Sequence, residues 1–414
     1  MSKEFFSVTP VETVFETIAG FPETRIENVP LLNAAGRILA EAVVSDIDLP
    51  GFDRSTMDGY AVRASDTFGA SEGNPAYLEI CGSIAMGEKP EATVSSGTAA
   101  RIATGGMIPR GADAVMMIEH TSEIDETTIE VYKRIAPGTH VIGKDEDIKK
   151  NTRLLEAGVR IGSREAGVIA AMGRTEVKAY KKPVIGIIST GDEVVPADSV
   201  PETGCIRDIN TYTLSAAIDA CGAAPKSYGI VADRFAPLYA LTEKALDACD
   251  MVILSGGSSV GTRDLTIEVI EALPDSSILV HGLPVRPGKP TILARTGIKP
   301  VWGLPGHVAS AMVIFDIFVK PCILHIGGST AAAQRHFSIP ATLTRNLASA
   351  QGRIDYVRVR IIEKDGTYMA EPVLGPSGLI RPMLDADGLI KIDMNTEGLE
   401  KGTEVRVMPF ERGG

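Results

Sequence analysis

The sequence predicts a multidomain α/β and β protein. It reads as a three-layer α/β domain with a mostly parallel sheet, an inserted β-rich domain, a linking domain and a small C-terminal β-barrel. Three observations carry this. Residues 183–326 alternate short apolar runs with helical segments, the pattern of a sheet covered by helices on both faces. Residues 46–144 hold short strand-like pieces cut by Gly and Pro turns. Residues 337–414 return to period two, with Val357, Val359 and Ile361 alternating with Arg358 and Arg360.

A length of 414 residues suggests about three domains of ordinary size, each able to bury its own core. Hydrophobic content of 44% and charged content of 23% are those of a soluble globular protein. The longest apolar stretch, Val308 to Ile326, contains Asp316, Lys320 and Pro321 and reads as a buried helix, so no membrane span is expected. The start, Met1-Ser-Lys-Glu-Phe-Phe6, lacks the long apolar core of a signal peptide, which makes a cytoplasmic location the expectation. The five cysteines show no C-x-x-C spacing, so neither a zinc site nor a disulfide framework is indicated. A net charge of −12 argues against nucleic acid or an anionic membrane as partner. An anionic ligand would then need a metal ion or a local basic cluster to offset that field.

Thr9-Pro10-Val11-Glu12 reads as a helix start, with Thr9 as N-cap and Glu12 closing a capping box. Val11, Val14, Phe15 and Ile18 share one face and Gly20 ends the helix, so residues 1–26 should dock on the α/β domain. A second helical stretch is expected from about Pro30 to Ala40. Residues 27–45 and 145–180, with a helix at Ser163–Ala171, read as a linking domain interrupted by the β-rich piece 46–144. Within that piece the strands fall at Tyr77–Cys81, Arg101–Ala103, Ala114–Ile118 and Thr128–Tyr132. The α/β domain, 181–328, has strands at Val184–Ile188, Lys226–Val231, Met251–Leu254, Ile278–Val280, Thr291–Leu293 and Val301–Trp302. Helices fall near 210–221, 236–248, 264–272 and 306–320, the first capped by Asn210 and stopped by Gly222. Residues 329–414 form the barrel.

In a parallel sheet, ligands bind beyond the carboxyl ends of the strands. Four unusual turns fall there: Ser189-Thr-Gly-Asp-Glu193, Val231-Ala-Asp233, Ser255 to Asp264, and Gly303-Leu-Pro-Gly-His307. The third is rich in glycine and hydroxyls, as phosphate-holding loops are. It lacks the Lys-Ser/Thr of a P-loop, which argues against a nucleotide triphosphatase. It also fits G-x-S-x-G, which would make Ser259 a hydrolase nucleophile with His307 or His325 as base, but the pattern is short. Arg286-Pro-Gly-Lys289 places two cations on a rigid turn. Asp192, Glu193, Asp233 and Asp264 beside a phosphate-type loop call for Mg²⁺, with Glu193 and Asp264 as first choices for ligands. Gly51 to Ala61 reads, as structure alone, as a surface loop with an Asp-Gly turn.

Several motifs together resemble the molybdopterin molybdenumtransferase family, the MoeA and gephyrin E-domain group. They are Phe52-Asp-Arg-Ser-Thr-Met-Asp-Gly-Tyr-Ala-Val-Arg63, Ala103-Thr-Gly-Gly106, Glu146-Asp-Ile148, Ser189 to Glu193, Ser255-Gly-Gly to Asp264, Arg286-Pro-Gly-Lys-Pro290 and Gly303-Leu-Pro-Gly306. The resemblance runs in the family's order over the whole chain. It implies the last step of molybdenum cofactor synthesis: adenylylated molybdopterin binds, Mg²⁺ assists, molybdate or tungstate is transferred to the dithiolene, and AMP leaves. By the same carry-over, Asp58, Thr104, Asp147, Glu193, Asp233 and Asp264 are the catalytic residues. Substrate binding falls to Ser255, Gly256, Gly257, Ser258, Ser259, Gly261, Arg286, Lys289, Pro305, Gly306, Ser310, Arg358 and Ser377. A homodimer is implied, with Asp58 and Thr104 serving the other subunit's ligand, and a transient contact with the molybdopterin adenylyltransferase. One departure stands out. After Gly306 the family usually has Asn-Pro-Val-Ser, whereas here His307-Val-Ala-Ser310 follows. The alternative from another class is a non-catalytic pterin-binding scaffold; Asp58, Glu193, Asp264 and Lys289 argue against it.

Overall fold

A computed structural model describes residues 8–256, 265–330 and 337–410. The chain forms two compact units. One takes in Met1–Glu41, Ala157–Ala166 and Thr175–Gly414 as far as these are described; the other takes in Ala42–Glu156 and Gly167–Arg174.

The first unit is built on a six-stranded sheet. Its strand order is Ala224–Val231, Val184–Thr190, Met251–Ser255, Lys299–Leu304, Ile292–Thr296 and Ser276–His281. The first four strands run parallel; helices Asn210–Ala220 and Phe235–Ala248 join three of them, and the helix Leu265–Ala272 leads on to Ser276–His281. The last two are antiparallel additions, and Ile292–Thr296 turns directly into Lys299–Leu304 as a hairpin. The alternation of strand and helix does not extend there. Only two residues separate these strands, too few for the crossover a parallel pairing needs.

Both faces of the sheet are covered. Ile185, Ile187, Met251 and Ile253 face one core layer, while Ile188, Val252 and Leu254 face the other. Successive strand residues point to opposite faces, which is why the central strands are apolar throughout. The helical run Val308–Ile326 lies in the first layer, with Ala311, Ile314, Phe318 and Cys322 fully buried. It is long and apolar enough to cross a membrane by length and composition, yet it is a core helix here. A π turn at Phe315–Val319 precedes Pro321, whose ring nitrogen has no hydrogen to donate to the preceding turn.

Helix Val11–Ala19 packs on the same layer through Val14 and Ile18, and Phe15 stacks on Phe318 at 5.6 Å between ring centres. Pro10, not Thr9, stands at its N-cap, with no side-chain cap bond. The helix expected from Pro30 to Ala40 does not form. A strand, Ile26–Pro30, pairs with Glu176–Tyr180, and only a single 3₁₀ turn follows at Leu31–Asn33. Gly36 at φ 77° and the donation of Leu39 N–H to Val159 and of Ala40 N–H to Lys178 hold the rest extended. Here tertiary pairing overrides local helical propensity. The helix Ser163–Ala171 stands where the sequence places it.

The C-terminal strands Ile354–Lys364, Thr367–Pro372, Ile339–Leu343, Glu404–Pro409 and Gly388–Ile392 close into a five-stranded barrel. Leu343, Val359, Ala370, Ile390 and Val407 fill it. A two-residue strand, Val285–Arg286, leaves the α/β sheet region and pairs in parallel with Ile354 and Asp355 at the barrel's edge. Ile354, Tyr356 and Leu389 in turn join the α/β core layer.

The second unit carries its own six-stranded sheet, in the order Ala114–Met117, Gly59–Val62, Thr98–Ile102, Ala76–Ile84, Thr128–Val131 and Thr121–Glu123. The stretch expected as a surface loop around Asp58-Gly59 leads instead into a wholly buried strand, Gly59–Val62. Glycine is required at 59 because a Cβ there would stand 1.9 Å from the Met116 carbonyl oxygen of the neighbouring strand.

Candidate active site

Since the four central strands run parallel, the turns that follow them open on one edge of the sheet. They line a cleft of about 1790 Å³ in the first unit. Its walls include Glu193, Asp233, Ser255, Gly256, Pro305, Gly306 and Ser310 from the sheet side, and Arg286 and Lys289 from the Arg-Pro-Gly-Lys turn. The barrel adds Arg358 and Ser377. Gly257, Ser258, Ser259, Gly261 and Asp264, which the sequence singles out, lie outside the described residues.

The turns are tied to one another by hydrogen bonds between polar groups. Thr190 Oγ1 donates to Asp233 Oδ1, and the Asp233 N–H donates to Asp192 Oδ1 at 3.1 Å. Ser189, 2% exposed, donates to Asp208 Oδ1 at 3.0 Å, which also accepts the Thr211 N–H at 3.1 Å. Asp208 thus does the capping expected of Asn210. Asn210 instead spans two ligand turns: its Nδ2 donates to Ser255 Oγ at 2.7 Å and to the Gly306 carbonyl at 2.8 Å. The Gly256 N–H donates to the Leu304 carbonyl at 3.2 Å, and its φ of 124° brings it against the next strand. A Cβ at 256 would lie 2.0 Å from the Thr190 carbonyl oxygen, so this position admits only glycine.

The opposite wall is basic. Arg286 faces Asp355 at 3.9 Å, and the same buried carboxylate binds Arg353 Nε at 2.9 Å. Gly288, at φ 111°, lets the turn pass close over Ile314. Arg358 donates through Nη2 to the Gly375 carbonyl at 2.8 Å, while its buried Nη1 has no hydrogen-bond partner. Burial lowers the guanidinium's hold on its proton, the direction expected for a partly desolvated cation without a counter-ion. Ser377 Oγ meets His307 Nδ1 at 3.0 Å, and the Ala309 N–H donates to the Ser377 carbonyl at 3.1 Å.

Asp58, Thr104 and Asp147 belong to the other compact unit, and none of them lines this cleft. The Thr104 N–H donates to Asp58 Oδ1 at 2.7 Å, and that bond, then the one to the Thr104 side chain, holds the carboxyl below its ordinary value. Asp147 is exposed on the turn after Lys144.

Glu193, Asp233 and the flanking hydroxyls offer oxygen donors at the sheet edge. Such donors suit a hard cation, and no group of three or more His, Cys, Asp or Glu converges among the described residues. One or two carboxylates completed by ligand phosphate oxygens is the usual arrangement for Mg²⁺. The sequence reading misses Asp208 and Asp355, takes Asn210 as a helix cap alone, and marks His307 without its partner Ser377. As to the hydrolase alternative, His325 Nε2 is engaged with the Phe21 carbonyl at 2.8 Å and His307 with Ser377.

Three family models match in sequence: "MoeA N-terminal region (domain I and II)" over residues 9–173, "Probable molybdopterin binding domain" over 186–325, and "MoeA C-terminal region (domain IV)" over 340–410. A molybdopterin molybdenumtransferase of Bacillus subtilis is 32% identical, covering 96% of this chain and 93% of its own. One from Nostoc sp. is 38% identical over 73% of this chain and 70% of its own. A crystal structure of a molybdopterin biosynthesis MoeA protein from Pyrococcus horikoshii superposes with a TM-score of 0.83 at 38% identity, covering 98% of this chain and all of its own. With three family models in order along the chain and full-length relatives and a full-length structural match beside them, the chain belongs to the MoeA, or molybdopterin molybdenumtransferase, family.

Proposed function

We propose that this chain inserts molybdate into adenylylated molybdopterin with release of AMP, the last step of molybdenum cofactor synthesis. The observation that carries the reading is a single cleft with carboxylates at a sheet edge on one wall and Arg286, Lys289 and Arg358 on the other. Phosphate, diphosphate and molybdate are all anions. In a chain of net charge −12, they need such a local basic wall.

Arg286 and Lys289 would offset the ligand's charge, the guanidinium fork matching two oxygens at once. Ser255, Gly256 and Gly306, joined by Asn210, would form the floor against which the pterin phosphate sits. Arg358 and Ser377 would meet the tetrahedral oxyanion. Glu193, with Asp264, would hold Mg²⁺, which when bound supplies positive charge beside the departing phosphate. Asp233, fixed by Thr190, would keep the first sheet turn in place and orient water or a proton. No covalent protein nucleophile is needed.

The same reading includes a homodimer, a transient encounter with the molybdopterin adenylyltransferase and a cytoplasmic location, with no nucleic acid or membrane as partner. Sedimentation equilibrium tests the dimer. The reaction is tested by AMP release from adenylylated molybdopterin, with molybdate and tungstate assayed side by side and Mg²⁺ withheld in a parallel series. Dependence on both oxyanion and Mg²⁺ is expected. Oxyanion-independent AMP release would refute the transferase reading, and turnover without Mg²⁺ would remove the metal from it.

A further inference from the structure

We infer that His307 is a positioning residue that makes oxyanion binding in the cleft depend on pH, acting through the Ser377 hydroxyl. This rests on the proposed reading of the cleft as an oxyanion-substrate site.

The geometry is specific. His307 ends the turn after the strand Lys299–Leu304, and its ring reaches across to the segment 375–378 of the C-terminal region. Nδ1 lies 3.0 Å from Ser377 Oγ. The ring also lies near Gly378, where a Cβ would be 3.7 Å from Cδ2 and 3.8 Å from Nε2. The Ala309 N–H bond to the Ser377 carbonyl and the Arg358 bond to the Gly375 carbonyl pin the same four residues from two sides. Ser377 therefore has little freedom except rotation of its hydroxyl proton.

That proton is what His307 controls. A neutral imidazole with Nδ1 as acceptor receives a hydrogen bond from the Ser377 O–H, and the hydroxyl then turns lone pairs toward the cleft. An imidazolium donates from Nδ1, so Ser377 Oγ becomes the acceptor and its O–H is free to donate a hydrogen bond to a ligand. Protonation thus adds a donor and a positive charge beside Arg358, whose buried Nη1 lacks a protein partner. Histidine is the side chain that makes this change between about pH 5 and 8. An asparagine at this position could not make it.

The charged groups lining the cleft around the imidazole come from three sources. Glu193, Arg207, Asp208 and Asp233 stand on the sheet side, Arg286 and Lys289 on the turn, and Arg353, Asp355 and Arg358 on the barrel. Asp208 is held by Ser189 and the Thr211 N–H, and Asp355 by Arg353. His307 is the histidine among them.

Isothermal titration of the full chain with inorganic molybdate at pH 6 and pH 8, repeated with tungstate, tests the inference. Wild type should bind about tenfold more tightly at pH 6, the worth of one added charge-assisted hydrogen bond. His307→Asn should still bind but with the pH ratio reduced to near one, and Ser377→Ala should flatten it as well. A pH ratio unchanged in His307→Asn would overturn the inference and leave the oxyanion cleft standing. Failure of wild type to bind either oxyanion at both pH values would overturn the cleft reading and this inference together.

Discussion

Arg286 and Asp355 stand opposite each other in a two-residue parallel pairing, with Nη1 of the arginine 3.9 Å from Oδ2 of the carboxylate. This places a cation of the α/β segment under the control of the barrel. Asp355 is 4% exposed and bonded more closely to Arg353 at 2.9 Å, so it is a fixed point that orients the exposed Arg286 without neutralising it.

Asp355→Asn should therefore raise KM for the adenylylated substrate about tenfold while changing kcat less, and Arg286→Ala should do the same. The double variant should be little worse than either single, because the two act as one unit. Additive losses in a double-mutant cycle would show that Asp355 does not work through Arg286.

Asn210 joins Ser255 and Gly306, so Asn210→Ala removes two buried hydrogen bonds at once. A stability loss of roughly 1–3 kcal/mol is expected in urea unfolding, as for buried groups left without partners. KM should rise too, because the floor of the cleft loses its tie. Unchanged stability would show that water replaces the amide.

Gly256→Ala should be among the most damaging substitutions in the chain, costing on the order of 3 kcal/mol or more, because its Cβ would strike the Thr190 carbonyl at 2.0 Å. Gly306→Ala is the matched control: a Cβ there meets only Gly256 Cα at 3.6 Å, an ordinary contact. Thermal unfolding of the pair should separate them clearly. Equal melting temperatures would contradict the close approach.

Asp58 has its carboxyl held below the ordinary value of 3.8 by the Thr104 N–H. Its contribution to stability is then fully present above that value and is lost as pH falls through the lower, folded one. Asp58→Asn should lower stability at neutral pH and remove that part of the acid slope below about pH 4. A carboxyl-carbon NMR titration reads the group directly, and a midpoint at or above 3.8 would contradict the bond.

The Cys322 thiol is pushed up to about 12 by burial against the core helix, and Cys221 and Cys249 are buried as well. In the folded protein a disulfide reagent should react quickly with Cys81 and Cys205 and with the other three only on unfolding. Fast labelling of Cys322 would mean that the helix Lys320–Ile326 opens readily.

Local pattern was enough wherever an element's own residues set its period. The helix Ser163–Ala171, the apolar central strands and the alternating barrel strand Ile354–Lys364 were all legible, since burial on one stripe or two faces is written into neighbouring positions. The glycine and proline turns at the sheet edge were legible for the same reason, and with them Glu193, Asp233, Arg286 and Lys289. Strand direction was not. The hairpin Ile292–Leu304 and the strand Ile26–Pro30 depend on which distant backbone offers hydrogen bonds, and no local period records that. Nor could the roles of Asn210, Asp355 and His307 be read, because each acts on partners 45, 69 and 70 positions away in the chain. The sequence by itself determined which chemistry the chain carries. Only the tertiary structure decided which groups meet, because direction, register and long-range hydrogen bonds are properties of pairs and not of positions.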